Sequence, residues 1–171
     1  MNIFVLDTDP KIAASYHCDQ HLNKMILESA QMACAVLKYK YPTWAAPYKE
    51  THANHPCTLR SKQSNANLAW LFQLARNLDN IRQAVRNTMK HSSMDVLEVC
   101  EAFLLPEEDT SAWPHPENFV FAGPPSIEIR NLTVPEKYQM YYRQKYRQWL
   151  DTRAPMSYKN RPIPPFMADL F

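Results

Sequence analysis

YHCDQHLNKMILESAQMACAVLKYK, residues 16–40, is the stretch whose reading decides the fold. Leu22, Ile26, Ala30, Ala33 and Leu37 recur at three- and four-residue steps, the pattern of one apolar side of a helix. His17, His21, Lys24, Glu28 and Gln31 recur at the same steps on the other side. At about 100° per residue those five span roughly 80° of arc. An ordinary wet face mixes Glu, Lys and Arg, whereas this row sets two imidazoles, an ammonium, a carboxylate and an amide in line. Two readings are open. One is a solvated face on which Lys24 and Glu28 pair for about 0.3 kcal/mol. The other is a functional stripe, and the scarce, near-neutral-titrating histidines argue for it.

The 171 residues suit one domain, with a helical body over 1–152 and an extended tail over 153–171. Hydrophobic residues make up 46% of the chain, enough for a sizeable core. Gly123 is the only glycine, so turns needing positive φ are scarce and a hairpin-rich β fold is disfavoured. The 14 prolines supply the punctuation instead. The net charge of +2 does not by itself declare a nucleic-acid binder. Its distribution is uneven: eight acidic and no Lys or Arg residues from His91 to Glu128, then eight basic and two acidic from Arg130 to Arg161. Either the second segment makes a basic surface or the two segments pair with each other. Cys18, Cys34, Cys57 and Cys100 form no CxxC pair, and no export signal or membrane-length apolar run is present. Free thiols in a cytoplasm, without membrane association, are the expectation.

Outward from the central helix, Asn2 to Leu6 (NIFVL) reads as a short strand, with Phe119-Val120-Phe121 as its pairing partner. Asp9 caps a short helix begun by Pro10. Residues 42–58 form a loop long enough to be functional. Thr58 is read as the cap of a second helix from Leu59 to about Met89, and a third runs from about Met94 to Leu104. Thr133 and Glu136 have capping-box spacing ahead of a last helix to about Thr152. Pro162, Pro164 and Pro165 forbid a helix in the tail, whose Phe166, Met167, Leu170 and Phe171 are free to dock on the body. The fold class is therefore mostly α: a compact single-domain bundle of about four helices with a short N-terminal strand and Pro-rich loops.

Four constellations could carry chemistry. A metal-dependent hydrolase could use His17 and His21, one turn apart, with Asp19, His52, His55 and Cys57 to complete a shell, although HExxH is absent. A cysteine nucleophile could be Cys18 or Cys57, but Cys18 diverges from His17 by about 100° and Cys57 beside His55 lacks a third partner. Glu28 could act as an acid/base residue with an amine, either Lys24 or the α-amino group of Met1, which Asn2 in second place favours retaining. An α-amine has a reference pKa of about 7.7–8, so part of it is nucleophilic at neutral pH. Finally, the last helix, EKYQMYYRQKYRQWLDTR, sets Tyr138, Tyr142, Lys145 and Trp149 in one stripe among further Tyr and Arg residues. Aromatics for stacking interleaved with cations for phosphate suit DNA, while core packing accounts for some of the rings. No cofactor is expected.

HCDQHLNKMILESAQ, with HPCTLRSKQSNANLAWL further on, resembles a family of small phage-type proteins. Asp19-Gln20-His21-Leu22 and Glu28 are also similar to the N-terminal part of the pyrimidine-dimer DNA glycosylases of the phage endonuclease V type. That resemblance implies a compact helical enzyme that opens a glycosidic bond with an N-terminal amine through a Schiff base and kinks DNA while flipping a nucleotide. Carried over by position, Glu28 falls on the catalytic glutamate, His21 and Gln20 on residues lining the DNA groove, and Met1 on the nucleophile. Asn2 stands where those enzymes expose a small residue. The expectation is a phage-type DNA glycosylase, with or without a lyase step, acting in repair or on a modified base in a host cytoplasm. Its catalytic set is Glu28, Lys24, His21 and Met1. His17, Asp19, Gln20 and Gln31 contact the substrate or DNA, Asn54 and His55 close the site, and Arg60, Lys62, Arg143 and Arg147 hold phosphates. The rivals are a non-catalytic protein that binds DNA or a host factor, as in counter-defence, and the metal-dependent hydrolase.

Overall fold

In a computed structural model, which describes residues 2–103, 119–127, 131–152 and 154–171, residues 19–40 form the axis of the fold. This helix, α2 (Asp19–Lys40), buries Leu22, Ile26, Ala30, Ala33 and Leu37 as the periodicity requires. It also buries Met25, Ser29, Met32, Cys34, Ala35 and Val36, so its second half is covered nearly all round. The small side chains let neighbours close in: α3 (Pro56–Ser61), α4 (Asn65–Arg86) and α5 (Ser93–Glu101) all pack on it, and α1 (Pro10–Tyr16) packs on α4. The helix α6 (Val134–Thr152) stands apart, because its backbone nowhere comes within 8 Å of that of α2 among the described residues. The gap is filled by rings, those of Phe4, His21, Tyr138 and Tyr142, in edge-on and stacked contact.

The mostly helical expectation holds, but six α-helices and two 3-10 helices are found among the described residues rather than about four helices. The first difference is a break at His17-Cys18, which separates α1 from α2 where one helix was expected from Tyr16. Tertiary bonds force the break. The Cys18 N–H donates to the Tyr142 hydroxyl at 2.9 Å and the Asp19 N–H to the Ser157 carbonyl at 2.9 Å, so neither turns back into a helix. The second is the division of the expected 59–89 helix. Thr58 lies inside α3, and Ser64 is the residue that caps α4 by accepting from the Asn67 N–H. The third is a 3-10 helix at Pro165–Leu170, in a tail read as extended; proline is tolerated at its first position.

Asn2–Leu6 is not a strand, and no strand occurs among the described residues. Ile3, Phe4, Val5 and Leu6 are all buried, so the alternation of a half-covered strand is missing. Side chains satisfy this segment where a ladder was expected: Gln139 donates to the Leu6 carbonyl and Trp70 to that of Thr8. Phe119–Phe121 lies beside it, joined through the Asn2 amide donating to Ala122 O. The Asp9 cap of α1 and the Thr133–Glu136 capping box form as read. Leu104, the expected end of the third helix, lies outside the described residues, as does Met1.

The tail docks by a clamp at the start of α2. Asp19 accepts from the Ser157 hydroxyl, the Lys159 N–H and, at 2.6 Å, the Arg161 guanidinium. Gln20 bonds Pro155 O and the Ser157 N–H, and at the far end Arg143 pairs with Asp169 while Met167 is buried. Two of the basic residues in the 130–161 segment thus pair with Asp19 and Asp169, not with the acidic stretch. Burial alone would raise the Asp19 carboxyl; the bonds from Lys159, Arg161 and Ser157 outweigh it and hold the group below the ordinary carboxylate value. The side chains of Asp19 and Arg161 are only 9% and 11% exposed. Asp19→Ala therefore strands a buried guanidinium and is expected to cost about 3–5 kcal/mol in urea unfolding. A depressed folded pKa stabilises above the unfolded value, so wild type loses this contribution as the pH falls below about 3.9, and the variant lacks that acid-dependent step.

Candidate functional site

Because α6 stands off α2, a cleft of about 780 Å³ opens between them. Gln20, His21, Lys24 and Glu28 line it from α2; Tyr141, Lys145, Gln148, Trp149 and Thr152 from α6; Asn2 and Phe4 form its floor with Ala122. That size suits a ligand as large as a nucleotide.

Among the described residues, Glu28 is the carboxylate in the wall. Its side chain is 13% exposed. Oε2 accepts from the backbone N–H of Asn2 at 3.1 Å, and Oε1 lies 3.5 Å from Lys24 Nζ, which is itself 63% exposed. The carboxylate is thus held by a half-buried backbone donor and faces an exposed ammonium. Asn2 in turn is tied at its backbone N–H and at both polar atoms of its side chain. Its amide donates to the Ala122 carbonyl at 3.2 Å, and its Oδ1 accepts from the Tyr138 hydroxyl at 3.0 Å and the Cys57 thiol at 3.4 Å. The Tyr138 hydroxyl also accepts from the Ala122 N–H. One residue therefore links α2, α3, α6 and the 119–127 segment. Gly123 belongs to this knot, since any Cβ there would run into the ring of Phe121, which packs on Tyr138.

The opposite wall is aromatic and cationic. Lys145 Nζ sits 5.1 Å from the ring centre of Tyr141, 5.8 Å from that of Trp149 and 6.0 Å from that of Phe4. His21, 2% exposed, stacks on Phe4 at 5.1 Å and meets the edge of Trp149 at 5.4 Å. Burial, and then His17, Lys145 and Lys24, push its pKa well below the usual histidine value, so the ring is neutral at physiological pH.

The structure brings together Gln20, His21, Lys24 and Glu28 and separates the other expected residues from them. His17 is fully buried outside the helical register of His21: its Nδ1 donates to Ala13 O at 2.7 Å, and burial lowers its pKa to about 4. Asp19 is taken up by the tail clamp, and Arg143 by Asp169 and the Phe166 carbonyl. Gln31 is half-buried on α2 and does not line the cleft. Asn54, His55, Arg60 and Lys62 do not line it either. Burial lowers the pKa of His55, and the Glu28 carboxylate is near enough to oppose that larger shift. His55 caps α3 through the Cys57 N–H, Arg60 bonds Gln63, and Lys62 donates to Ala53 O beside the Tyr39 ring. Arg147 is exposed on α6 and does not line the cleft. Met1 lies outside the described residues. The imidazoles of His17 and His21 are 6.4 Å apart with each Nδ1 already bonded, and no group of three or more His, Cys, Asp or Glu converges among the described residues. All four cysteines are buried free thiols. Burial raises the pKa of Cys18 and Cys57, which leaves neither a ready thiolate.

Phe4 and Gln148 line the cleft with no signal for it in the sequence, whereas Tyr141 belongs to the aromatic helix expected to contact DNA. The signal that could have found Asn2 is its amide at the head of an apolar run, where a buried polar group must find partners. Among the described residues no helix is long and apolar enough to cross a membrane. Comparison with known proteins finds no matching family model, no matching curated protein and no matching solved structure. The likeness to glycosylases rests on the residues quoted for it.

Tyr138→Phe removes the hydroxyl that joins Asn2 to Ala122 while keeping the ring. It is expected to cost about 1–3 kcal/mol in urea unfolding, because it leaves a buried N–H and a buried amide oxygen short of partners. Hydrogen exchange should quicken at Asn2 and Ala122 rather than in α4.

Proposed function

We propose that the protein is a DNA-processing enzyme of glycosylase type, acting on a damaged or modified base, with Glu28 as its acid/base residue. The observation that carries this reading is the placement of one well-held carboxylate across a nucleotide-sized cleft from Trp149, Tyr141 and Lys145. A base turned out of a duplex needs a flat apolar surface, and its phosphate needs a cation. Breaking a glycosidic bond builds positive charge on the sugar C1′, which a nearby carboxylate stabilises. The bond to the base breaks as an amine or a water bonds C1′, the base leaves with the electron pair and picks up a proton, and Glu28 takes the proton released by the attacking group.

An amine as the nucleophile adds a Schiff base and strand cleavage. Lys24, 3.5 Å from Glu28, and the α-amine of Met1 are the two candidates in this reading. His21 and Gln20 complete the α2 wall. The phosphate contact is assigned to Lys145, which lines the cleft, in place of Arg143, which is committed to Asp169.

The test uses duplex DNA carrying uracil or ultraviolet damage, with abasic-site DNA for the strand-cleavage step alone. Base release by the wild type, with a loss of about 100-fold or more in Glu28→Gln at unchanged melting temperature, is the expected result. Borohydride trapping of a protein–DNA adduct marks the amine route. A Glu28→Gln protein that keeps the full effect points to a binder instead. Trp149→Ala is expected to weaken DNA binding by about 1–3 kcal/mol, measured by fluorescence anisotropy.

A further inference from the structure

His17 and His21 lie one turn apart in sequence, yet their bonds give them opposite proton positions. The Nδ1 of His17 faces the Ala13 carbonyl, which can only accept, so Nδ1 carries the proton there. The Nδ1 of His21 lies 2.7 Å from the hydroxyl of Tyr142, a group that can donate or accept. That ambiguity is removed by a third partner. The Cys18 backbone N–H, which can only donate, points at the same hydroxyl from 2.9 Å. The Cys18 sulfur also faces Tyr142 Oη but accepts only weakly, so His21 Nδ1 is the one strong acceptor for its proton. A protonated Nδ1 would leave a fully buried phenol hydrogen with only that weak acceptor.

We propose that Tyr142 is a positioning residue that locks His21 as the tautomer with a bare Nδ1 and a protonated Nε2, so that His21 serves the cleft as an uncharged hydrogen-bond donor to an acceptor atom of the ligand. The relay runs Cys18 N–H to Tyr142 O–H to His21 Nδ1, and it leaves Nε2 as the second nitrogen of a ring that lines the cleft. The groups around the ring favour the neutral form from each side: Lys24 on α2, His17 on the preceding turn, and Lys145 and Tyr142 on α6, with Phe4 stacked on its face and Trp149 against its edge. A neutral donor of this kind contacts a phosphate, sugar or base oxygen without the counter-charge that Lys145 supplies. It therefore reads an acceptor rather than a charge.

The ligand side of this assignment rests on the cleft being the DNA site proposed above; the tautomer does not. Ring-nitrogen NMR on the uniformly ¹⁵N-labelled full chain reads it directly, with His21 assigned from the spectrum of His21→Gln. The expected result is a bare Nδ1 and a protonated Nε2, unchanged between about pH 5 and pH 8. In Tyr142→Phe the two tautomers should mix. Addition of duplex DNA containing an abasic site should shift the His21 Nε2–H resonance, and Tyr142→Phe should bind that DNA roughly 3- to 10-fold more weakly. A wild-type His21 protonated at Nδ1, a tautomer unchanged in a folded Tyr142→Phe, or DNA that binds without moving the Nε2–H signal overturns the proposal. The wild-type spectrum decides the tautomer even if Tyr142→Phe fails to fold. A wild type that binds no such DNA refutes the reading of the cleft, and with it the ligand role of His21, while the NMR result still decides the lock.

Discussion

Two buried phenol hydroxyls hold this molecule in its working shape. Tyr138 and Tyr142 lie one turn apart on α6, both fully covered, and a hydroxyl in that position must be bonded or the fold loses stability. Tyr138 finds Asn2 and Ala122, and Tyr142 finds Cys18 and His21. These bonds reach across the gap between α6 and the rest of the body. The rings are too wide for the helices to close on each other, and the hydroxyls prevent them from drifting apart. A cleft is the geometric remainder of that arrangement.

The same two residues organise the polar chemistry at its rim. Through Asn2, Tyr138 fixes the backbone donor that steadies Glu28. Through Cys18, Tyr142 interrupts the helix ahead of α2 and takes His17 out of the helical register of His21. The charged groups follow a different rule. Asp19 and Arg161 bind the tail down, Arg143 and Asp169 repeat this at its far end, and both pairs are spent on architecture. Lys24 and Lys145, in contrast, stand in the cleft wall. A surface that proteins use for polyanions needs cations beside flat rings, and Lys145 beside Tyr141 and Trp149 has that composition.

Much of the site was legible in the residues alone because helical spacing is a local property. Lys24 and Glu28 are one turn apart in any helix, and they meet at 3.5 Å here. The stripe of Lys145 and Trp149 on α6 was visible for the same reason, as was the buried row from Leu22 to Leu37. The reading failed where a local pattern met a distant partner. His17 continues the stripe by arithmetic but not in space, because the chain bends at Cys18 to reach Tyr142, 124 residues away. The strand at Asn2–Leu6 has the composition of a strand, yet its backbone is satisfied by Gln139 and by the Asn2 network. Arg143 reads as a free cation and is tied to the chain's last turn.

The sequence by itself determined the mostly helical class, the caps at Asp9 and Thr133, the buried face of α2 and the pairing of Lys24 with Glu28. Each of these depends on residues within a turn or two of one another, where spacing and side-chain chemistry suffice. Only the tertiary structure decided that α6 faces α2 across a layer of rings, that Asn2 is the knot behind Glu28, and which nitrogen of His21 is bonded. Those outcomes turn on single hydrogen bonds between residues more than 25 positions apart in the chain. No local pattern encodes them, because a buried donor accepts whichever partner the packing of the whole chain brings within reach.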